Sequence, residues 1–529
     1  SSAASDVYKR QFITRPDWVA SAPNMLQEMT AFLNTPFVGA LSPRLVTKTG
    51  DVLGNALILG TSGLASYFGS GTHFDALGHF GRQLITQNPS ALTFDALLFR
   101  RETWAAAGGL TETWESLNAA CAIDFSLKIK ATGQHLAWLP WISLIALDDK
   151  RELVETADEA RLLEKWLPQL ACDPFYNVNF SRDAAFQITP RPQVSKIRLK
   201  EKFVPRLMAF NADEMGCGYY RVIEPFNAAL KAGLVDGVLT NLHFNPFDLN
   251  VLDADTLFVQ RQITDEQLVI LNNYRKYADI KLVYELDDLI TQVDVSSEHF
   301  VNIPKDVGER LEKALSYCNR FVVSTEPLKE MYSRYINDIR VVPNYLDKEK
   351  WLTLKPRRKA GKKPRVGWSG GVSHRVDLLI IHEVIKRLAD EVEWVFFGFV
   401  TEEIRSLVQG INGVPTPQYP AQLAAMNLDL ALAPLAHNAF NDCKSHLKLM
   451  EYGVLGYPVI ASDFGPYQRS GFPVTLVENR AKDWINAIRE HINDLNAAAQ
   501  KGDELREFVI KNHMLQDHLE EWRSAWFDF

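Results

Sequence analysis

The sequence predicts an α/β protein with two Rossmann-like parallel-sheet domains, preceded by a smaller α/β region. Two observations carry this. From Pro205 onward short apolar runs alternate with amphipathic stretches, the pattern of strands covered on both faces by crossover helices. The alternation pauses at Lys355–Arg365, KPRRKAGKKPR, and then starts again. Seven basic residues in eleven, with two prolines and a glycine, cannot bury a core, so this stretch reads as a solvated interdomain hinge rather than a phospholipid contact.

Strands of the first alternating unit are predicted at Arg206–Phe210, Val235–Thr240, Leu257–Gln260, Lys281–Leu286, Arg320–Ser324 and Ile339–Pro343, with helices over Tyr219–Lys231 and Asp306–Cys318. The second unit has strands at Arg365–Trp368, Trp394–Gly398, Leu428–Ala433, Val459–Ser462 and Val474–Val477, with helices over Asp377–Ala389 and Ser445–Leu455. The resulting organisation is a region at 12–190, a proline-containing linker at 191–204, domains at 205–350 and 365–480 joined by a basic linker at 351–364, and C-terminal helices at 481–529 that pack back across the first domain. Asp6–Gln11, DVYKRQ, back-translates to a transposon end used in sequencing libraries. Residues 1–11 are therefore expected to be an adaptor scar, with the natural N-terminus missing.

Composition excludes several classes. Hydrophobic and charged contents of 47% and 23% are those of an ordinary globular chain. A net charge of −8 provides no basic field, so nucleic acid is not an expected partner. Five widely spaced cysteines, none in a CxxC pair, suit a reducing cytosol and argue against a structural zinc site. No apolar run approaches the roughly 20 residues of a membrane span. The expected location is cytoplasmic, with any membrane contact peripheral and at the inner face.

The chemistry concentrates in Asn441–Asp463, NDCKSHLKLMEYGVLGYPVIASD. A helix opening at Ser445 would place Leu447, Met450, Val454 and Leu455 on one apolar stripe, with Gly456 as its stop. Glu451 falls inside that stripe, where a carboxylate is costly unless something binds it. Lys444 and Lys448 flank it near the helix N-terminus, which favours anions. An acid for hydroxyls beside lysines and a helix end for phosphate is the chemistry of a nucleotide-sugar pocket. The alternative is a surface helix with a Lys448–Glu451 pair.

Three further segments follow predicted strands. In Val366–His374, VGWSGGVSH, the small residues Ser369, Gly370 and Gly371 let backbone approach a phosphate, His374 is placed to donate to a diphosphate oxygen, and Arg375 adds a cation. In Gly216–Arg221, GCGYYR, Gly216 and Gly218 open a helix, and Arg221 either faces the cleft or lies on a helix surface. In Glu285–Asp288, ELDD, Asp287 and Asp288 either orient an acceptor hydroxyl or cap the next helix. No cofactor is obligatory. A divalent metal is compatible with ELDD but not required, since lysines and a helix end neutralise a leaving diphosphate.

Together these motifs, over roughly residues 205–500, resemble the family-4 retaining glycosyltransferases of the GT-B fold. The resemblance implies transfer from a nucleoside-diphosphate sugar to a glycan or lipid-linked acceptor, in bacterial-type cell-surface polysaccharide or glycolipid synthesis. It implies that Glu451 holds ribose hydroxyls and that Ser369, Gly370, Gly371, His374, Arg375, Asn441 and Ser445 contact the donor. It also implies that Lys444 and Lys448 stabilise the leaving diphosphate, with Gly216, Gly218, Arg221, Asp287 and Asp288 toward the acceptor. The family's Glu-x7-Glu element is incomplete: its first glutamate falls at Cys443. The sequence instead is similar to a branch with Asn441, Lys444, Ser445, Lys448, Glu451 and Tyr452 in an Asn-x-x-Lys-Ser…Lys-x-x-Glu-Tyr arrangement. Residues 12–190 resemble the C-terminal half of a family-2, GT-A-type transferase, through Phe37–Pro43, Arg100–Glu102, Gly108–Gly109, Ile123–Phe125 and Asp173–Asn177. Cys121 and Ala122 stand where that family has its acidic pair, so this region is expected to be inactive and Asp124 structural. The rival readings are a non-catalytic glycan-binding scaffold and a GT-B nucleotide-sugar epimerase.

Overall fold

A computed structural model describes every residue except 1–8, 113, 115, 148–155, 172, 178, 189–203, 245 and 293–303. The predicted linker at 191–204 therefore lies outside the described residues except for Val204. The chain divides into two compact units, Ser1–Pro192 with Phe244–Leu252, and Gln193–His243 with Asp253–Phe529.

The first unit contains a mixed sheet of β1 (Arg10–Thr14), β2 (Trp18–Ala20), β3 (Val38–Val46), β7 (Ala96–Arg100) and β8 (His135–Ala146), ordered β1-β7-β3-β8-β2, beside a three-stranded sheet of β4 (Ala56–Leu59), β5 (Ala65–Tyr67) and β6 (Ala91–Leu92). Among the described residues of this unit, only β3 and β8 pair in parallel. Arg10 and Gln11, within the segment set aside as a scar, pair with Arg100 and Phe99. The helix Ala119–Ala131 starts at Asn118, whose side chain accepts from the Cys121 amide, and it carries the fully buried Asp124. Asp124 accepts from Thr111 Oγ1 (2.7 Å), Trp114 Nε1 (3.2 Å), Trp166 Nε1 (2.7 Å) and Lys165 Nζ (2.5 Å). Burial alone would raise its pKa, but these donors bring it down to about 2, so it stays a carboxylate.

The second unit holds two parallel six-stranded sheets. One comprises β9 (Arg206–Phe210), β10 (Asp236–Thr240), β11 (Thr256–Gln260), β12 (Lys281–Leu286), β13 (Arg320–Val323) and β14 (Ile339–Val341), in the order β10-β9-β11-β12-β13-β14. The other comprises β15 (Arg365–Gly370), β16 (Glu393–Gly398), β17 (Val408–Ile411), β18 (Leu430–Ala433), β19 (Val459–Ser462) and β20 (Thr475–Val477), in the order β17-β16-β15-β18-β19-β20. These are doubly wound Rossmann-like sheets, as predicted. The strand order reverses between β9 and β11 in the first and between β15 and β18 in the second, the places where such sheets bind ligands.

Three elements differ from the sequence reading. The helix predicted over Asp377–Ala389 is broken into Arg375–Leu379 and His382–Arg387. Tight three-residue turns at Ile380 and Ile381 interrupt it, where two adjacent β-branched residues weaken helix propensity. The basic stretch is solvated over most of its length, as expected, but it is tied down: Asp429 accepts from the Lys359 and Arg365 amides, Arg358 pairs with Asp503, and Arg365 pairs with Glu393, which fasten it to the second domain. Strand β17, VQGI, is an added edge strand, half exposed and without an apolar run to announce it.

The C-terminal helix Leu519–Phe527 packs on the first domain, where Trp522 and Trp526 join Leu207, Phe226, Phe258 and Val283 in one core. Arg320 at the start of β13 donates to the carbonyls of Ser524, Ala525 and Asp528, which anchors the C-terminal turn of that helix. Among the described residues no helix is long and apolar enough to cross a membrane.

Candidate functional site

The reversal point of the second sheet is built around Ser369, the fifth residue of β15. Its amide donates to Tyr452 Oη at 2.8 Å, and its hydroxyl lies 3.1 Å from both Tyr452 Oη and Tyr419 Oη. Lys448 donates to the Ser369 carbonyl. Lys448, Glu451 and Tyr452 all project from the helix Leu447–Val454, which is short because Gly456, at φ 74°, ends it in the left-handed conformation.

Glu451 is 6% exposed. Its Oε1 accepts from Tyr220 at 2.8 Å, and its Oε2 accepts from Tyr419 at 2.9 Å. Tyr419 belongs to the same domain and stacks on Phe397, whereas Tyr220 comes from the first domain. Burial raises the Glu451 pKa, opposed by Lys448 and by the two phenols. Burial lowers Lys448 to about 8, opposed by Glu451 and Asp377, so it remains a cation at neutral pH. Both phenols are pushed well up, by burial first and by Glu451 second, and remain donors.

The second cluster centres on Asp377, after β15. Its Oδ1 accepts from the Ala436 amide (2.8 Å), beyond β18, and from Asn441 Nδ2 (2.9 Å), while Oδ2 meets His374 Nδ1 at 2.8 Å. Burial works against the Asp377 charge, but the His374 hydrogen bond, the Lys444 field and the Ala436 amide more than offset it, and the group is ionised. His374 is held well below its ordinary value, by burial and then by Lys444, and is therefore neutral. With an ionised acceptor at Nδ1, the proton sits there and Nε2 presents a lone pair. The expectation that His374 donates to a diphosphate therefore needs correcting: Nε2 gains a donor only if it takes up a proton.

The other sequence-predicted residues fall as follows. Ser445 does not open the helix, which begins at Leu447; its hydroxyl accepts from Asn344 Nδ2 of the first domain at 2.9 Å. Asn441 is buried and spends its amide on Asp377 and the Ala436 carbonyl, so it ties the loop together rather than presenting to a ligand. Lys444 lies over the Phe440 ring, 5.0 Å from its centre. Gly371 and Arg375 are exposed after β15. At Gly370 a Cβ would come within 2.5 Å of the Trp368 ring.

On the first domain a helical stretch runs from Gly216 to Lys231, with a five-residue π-helical turn over Tyr219–Ile223, a distortion common at functional sites. It directs neighbouring residues to separate partners. Lys350 donates to Tyr219 Oη (2.7 Å) and to Glu224 (2.9 Å), and Tyr220 reaches Glu451. Gly218 is required because a Cβ there would sit 1.8 Å from the Asp213 carbonyl, whereas Gly216 faces open space.

Arg221 corrects both of its readings. It is fully buried, neither on a cleft wall nor on a surface. Its Nε donates to Glu285 Oε1 at 2.7 Å, Nη1 donates to the Val342 carbonyl and Asn344 Oδ1, and the guanidinium lies 4.7 Å from the centre of the Trp522 ring. Gln260 fills the other Glu285 oxygen at 2.8 Å. Asp287 and Asp288 group with Cys217, their ligand atoms within 4.8 Å of one another, but the Arg261 guanidinium stands 3.8 Å from Asp287 and already supplies positive charge. A thiol raised by burial is a poor ligand, so this group does not make a good cation site.

The sequence alone assigns no role to Tyr220, Tyr419 or Asp377. Tyrosines are ordinary core residues, and only their partners, 231 and 32 residues away from Tyr220 and Tyr419, mark them.

No family model matches the chain. A stretch of 169 residues, 30% of the chain, is 30% identical to uncharacterized protein y4gI of Sinorhizobium fredii (strain NBRC 101917 / NGR234), and the match spans 18% of that protein's length. Among solved structures, the sucrose-phosphate synthase of Thermosynechococcus elongatus is similar over 60% of this chain and 97% of its own, at 12% identity and a TM-score of 0.46. Anabaena HepE in complex with UDP and glucose is similar over 61% and 99%, at 13% identity and 0.44. An alpha-glucosyltransferase in complex with UDP and DNA is similar over 61% and 99%, at 10% identity and 0.47. At these scores the α/β assignment rests on the two sheets themselves.

Proposed function

We propose that this chain is a nucleotide-sugar-dependent glycosyltransferase of the retaining, family-4-like kind, acting in cell-surface polysaccharide or glycolipid synthesis. The observation that supports it is the grouping of Glu451, Lys448, Lys444 and the His374–Asp377 pair at the reversal point between β15 and β18. A buried carboxylate suits a ribose diol, and two lysines with the exposed small residues Gly371 and Ser373 after β15 suit a diphosphate. In the reaction the acceptor oxygen bonds to the anomeric carbon as the bond from that carbon to the diphosphate breaks. The electron pair leaves on the diphosphate, and the acceptor proton passes to it. Lys444 and Lys448 lower the cost of that charge, and fixed donors in a water-poor cleft are most effective where charge develops. The acceptor is taken to be a glycan or a lipid-linked precursor, and no metal is needed for this charge balance. The region before residue 190 is read as a family-2-like module without catalytic acids.

The test is thermal unfolding with UDP, GDP and ADP. Wild type should gain stability with at least one nucleotide, and Glu451→Ala should gain none. A wild type that responds to no nucleoside diphosphate refutes the reading. Turnover of the nucleotide-sugar to an epimer without an acceptor would favour the epimerase.

A further inference from the structure

Glu451 is sealed from solvent by a residue of the opposite domain. The Tyr220 phenol caps Oε1 from the π-helical turn of the first domain, and the Tyr419 phenol caps Oε2 from within the second. Tyr220 itself is 6% exposed and packs in the core of the second domain with Trp351, Leu449 and Met450. A ribose reaches Glu451 only when the Tyr220 hydroxyl withdraws, whereas Tyr419, which opens the helix Tyr419–Ala425 of the same domain as Glu451, need not move.

We propose that Tyr220 is an interdomain latch on the nucleotide site, whose phenol occupies the Glu451 oxygen that a ribose hydroxyl of the nucleoside diphosphate takes over. The inference rests on the ribose-holding role proposed above for Glu451. It assigns different duties to two chemically identical contacts. Tyr220 competes with the nucleotide, and its release frees the first domain to reposition. Tyr419 is a positioning residue: it shares its hydroxyl with Ser369 at 3.1 Å and fixes the carboxylate for the incoming diol. Exchange of one hydroxyl donor for another leaves Glu451 satisfied throughout, so the switch never strands a buried charge.

The test is calorimetric titration of the full chain with UDP, GDP and ADP, comparing wild type with Tyr220→Phe, Tyr419→Phe and Glu451→Gln. Tyr220→Phe keeps the ring packing and removes only the competitor, so affinity should rise by about tenfold, the scale of one hydrogen bond to a charged group. Tyr419→Phe should lower affinity, and Glu451→Gln should lose it. A merely structural Tyr220 cannot tighten binding. Unchanged or weaker binding by Tyr220→Phe, with Glu451→Gln silent, overturns the latch alone. Undiminished binding by Glu451→Gln, or no binding by wild type, overturns the ribose assignment and the latch with it. Hydrogen exchange on wild type gives a readout that needs no variant. UDP should speed exchange over Gly216–Lys231 while slowing it over Leu447–Val454, and slowing in both refutes the latch.

Discussion

Glu285→Ala isolates what the Arg221 charge requires. Arg221 and Glu285 are both fully buried and meet at 2.7 Å. After the substitution the guanidinium keeps the Val342 carbonyl, Asn344 and the Trp522 face, but no carboxylate. Removing one partner of a buried pair leaves an uncompensated charge and costs about 3–5 kcal/mol. At roughly 2–4 °C per kcal/mol for domains of this size, that is a fall in Tm of about 10 °C. Calorimetry of the full chain provides the assay. The double variant Arg221→Met with Glu285→Leu should recover most of the loss, because it removes both charges at once. A loss below about 1 kcal/mol, or a double variant no better than the single one, would refute the reasoning. So would an Arg221→Met protein of normal stability that has lost nucleotide affinity, since that is the behaviour of a cleft residue.

Two other perturbations follow from buried groups. His446 and His513 sit with ring centres 5.3 Å apart, and burial lowers each to about 4. Their unfolded values are about 6.5, so the unfolded chain takes up protons first, and stability falls as pH drops from 6.5 toward 4. By pH 5 each should cost about 1–2 kcal/mol, and His446→Gln or His513→Gln should flatten the pH dependence of Tm. Equal slopes would show that neither ring is desolvated as described. In the first unit, Asp124→Asn should cost about 2–4 kcal/mol, because the fully buried carboxylate loses its charge while Lys165 and Trp166 lose a charged acceptor. A calorimetric transition for that unit unmoved within about 1 kcal/mol would argue that the carboxylate is dispensable.

Much of the fold was legible because doubly covered strands are continuous apolar runs. Arg206–Phe210, Lys281–Leu286 and Val459–Ser462 match their predicted limits residue for residue. Edge strand β17 gave no such signal, and the break after Leu379 falls at two adjacent isoleucines inside an otherwise continuous amphipathic pattern. At the site, Glu451 stood out because a carboxylate on an apolar helical arc is a local anomaly. Arg221 did not, because its burial depends on Glu285, 64 residues on, and on a tryptophan from the far end of the chain. The Tyr220 contact was illegible for the same reason: it spans 231 residues, and helical periodicity cannot say which domain a tyrosine will reach.

The seating of Trp522 and Trp526 in the core of the first domain has a consequence for biosynthesis. That domain begins near residue 205, yet its hydrophobic interior and the face over Arg221 are completed only by Leu519–Phe527. A ribosome must make the whole second domain before the first can close. From the end of that domain near residue 350 to Leu519, the nascent chain thus carries an open apolar groove for about 170 residues of synthesis, exposed to aggregation as incomplete domains are. Nonsense or frameshift changes in the codons for Leu519–Phe527 should be as damaging to solubility as changes in the strands themselves.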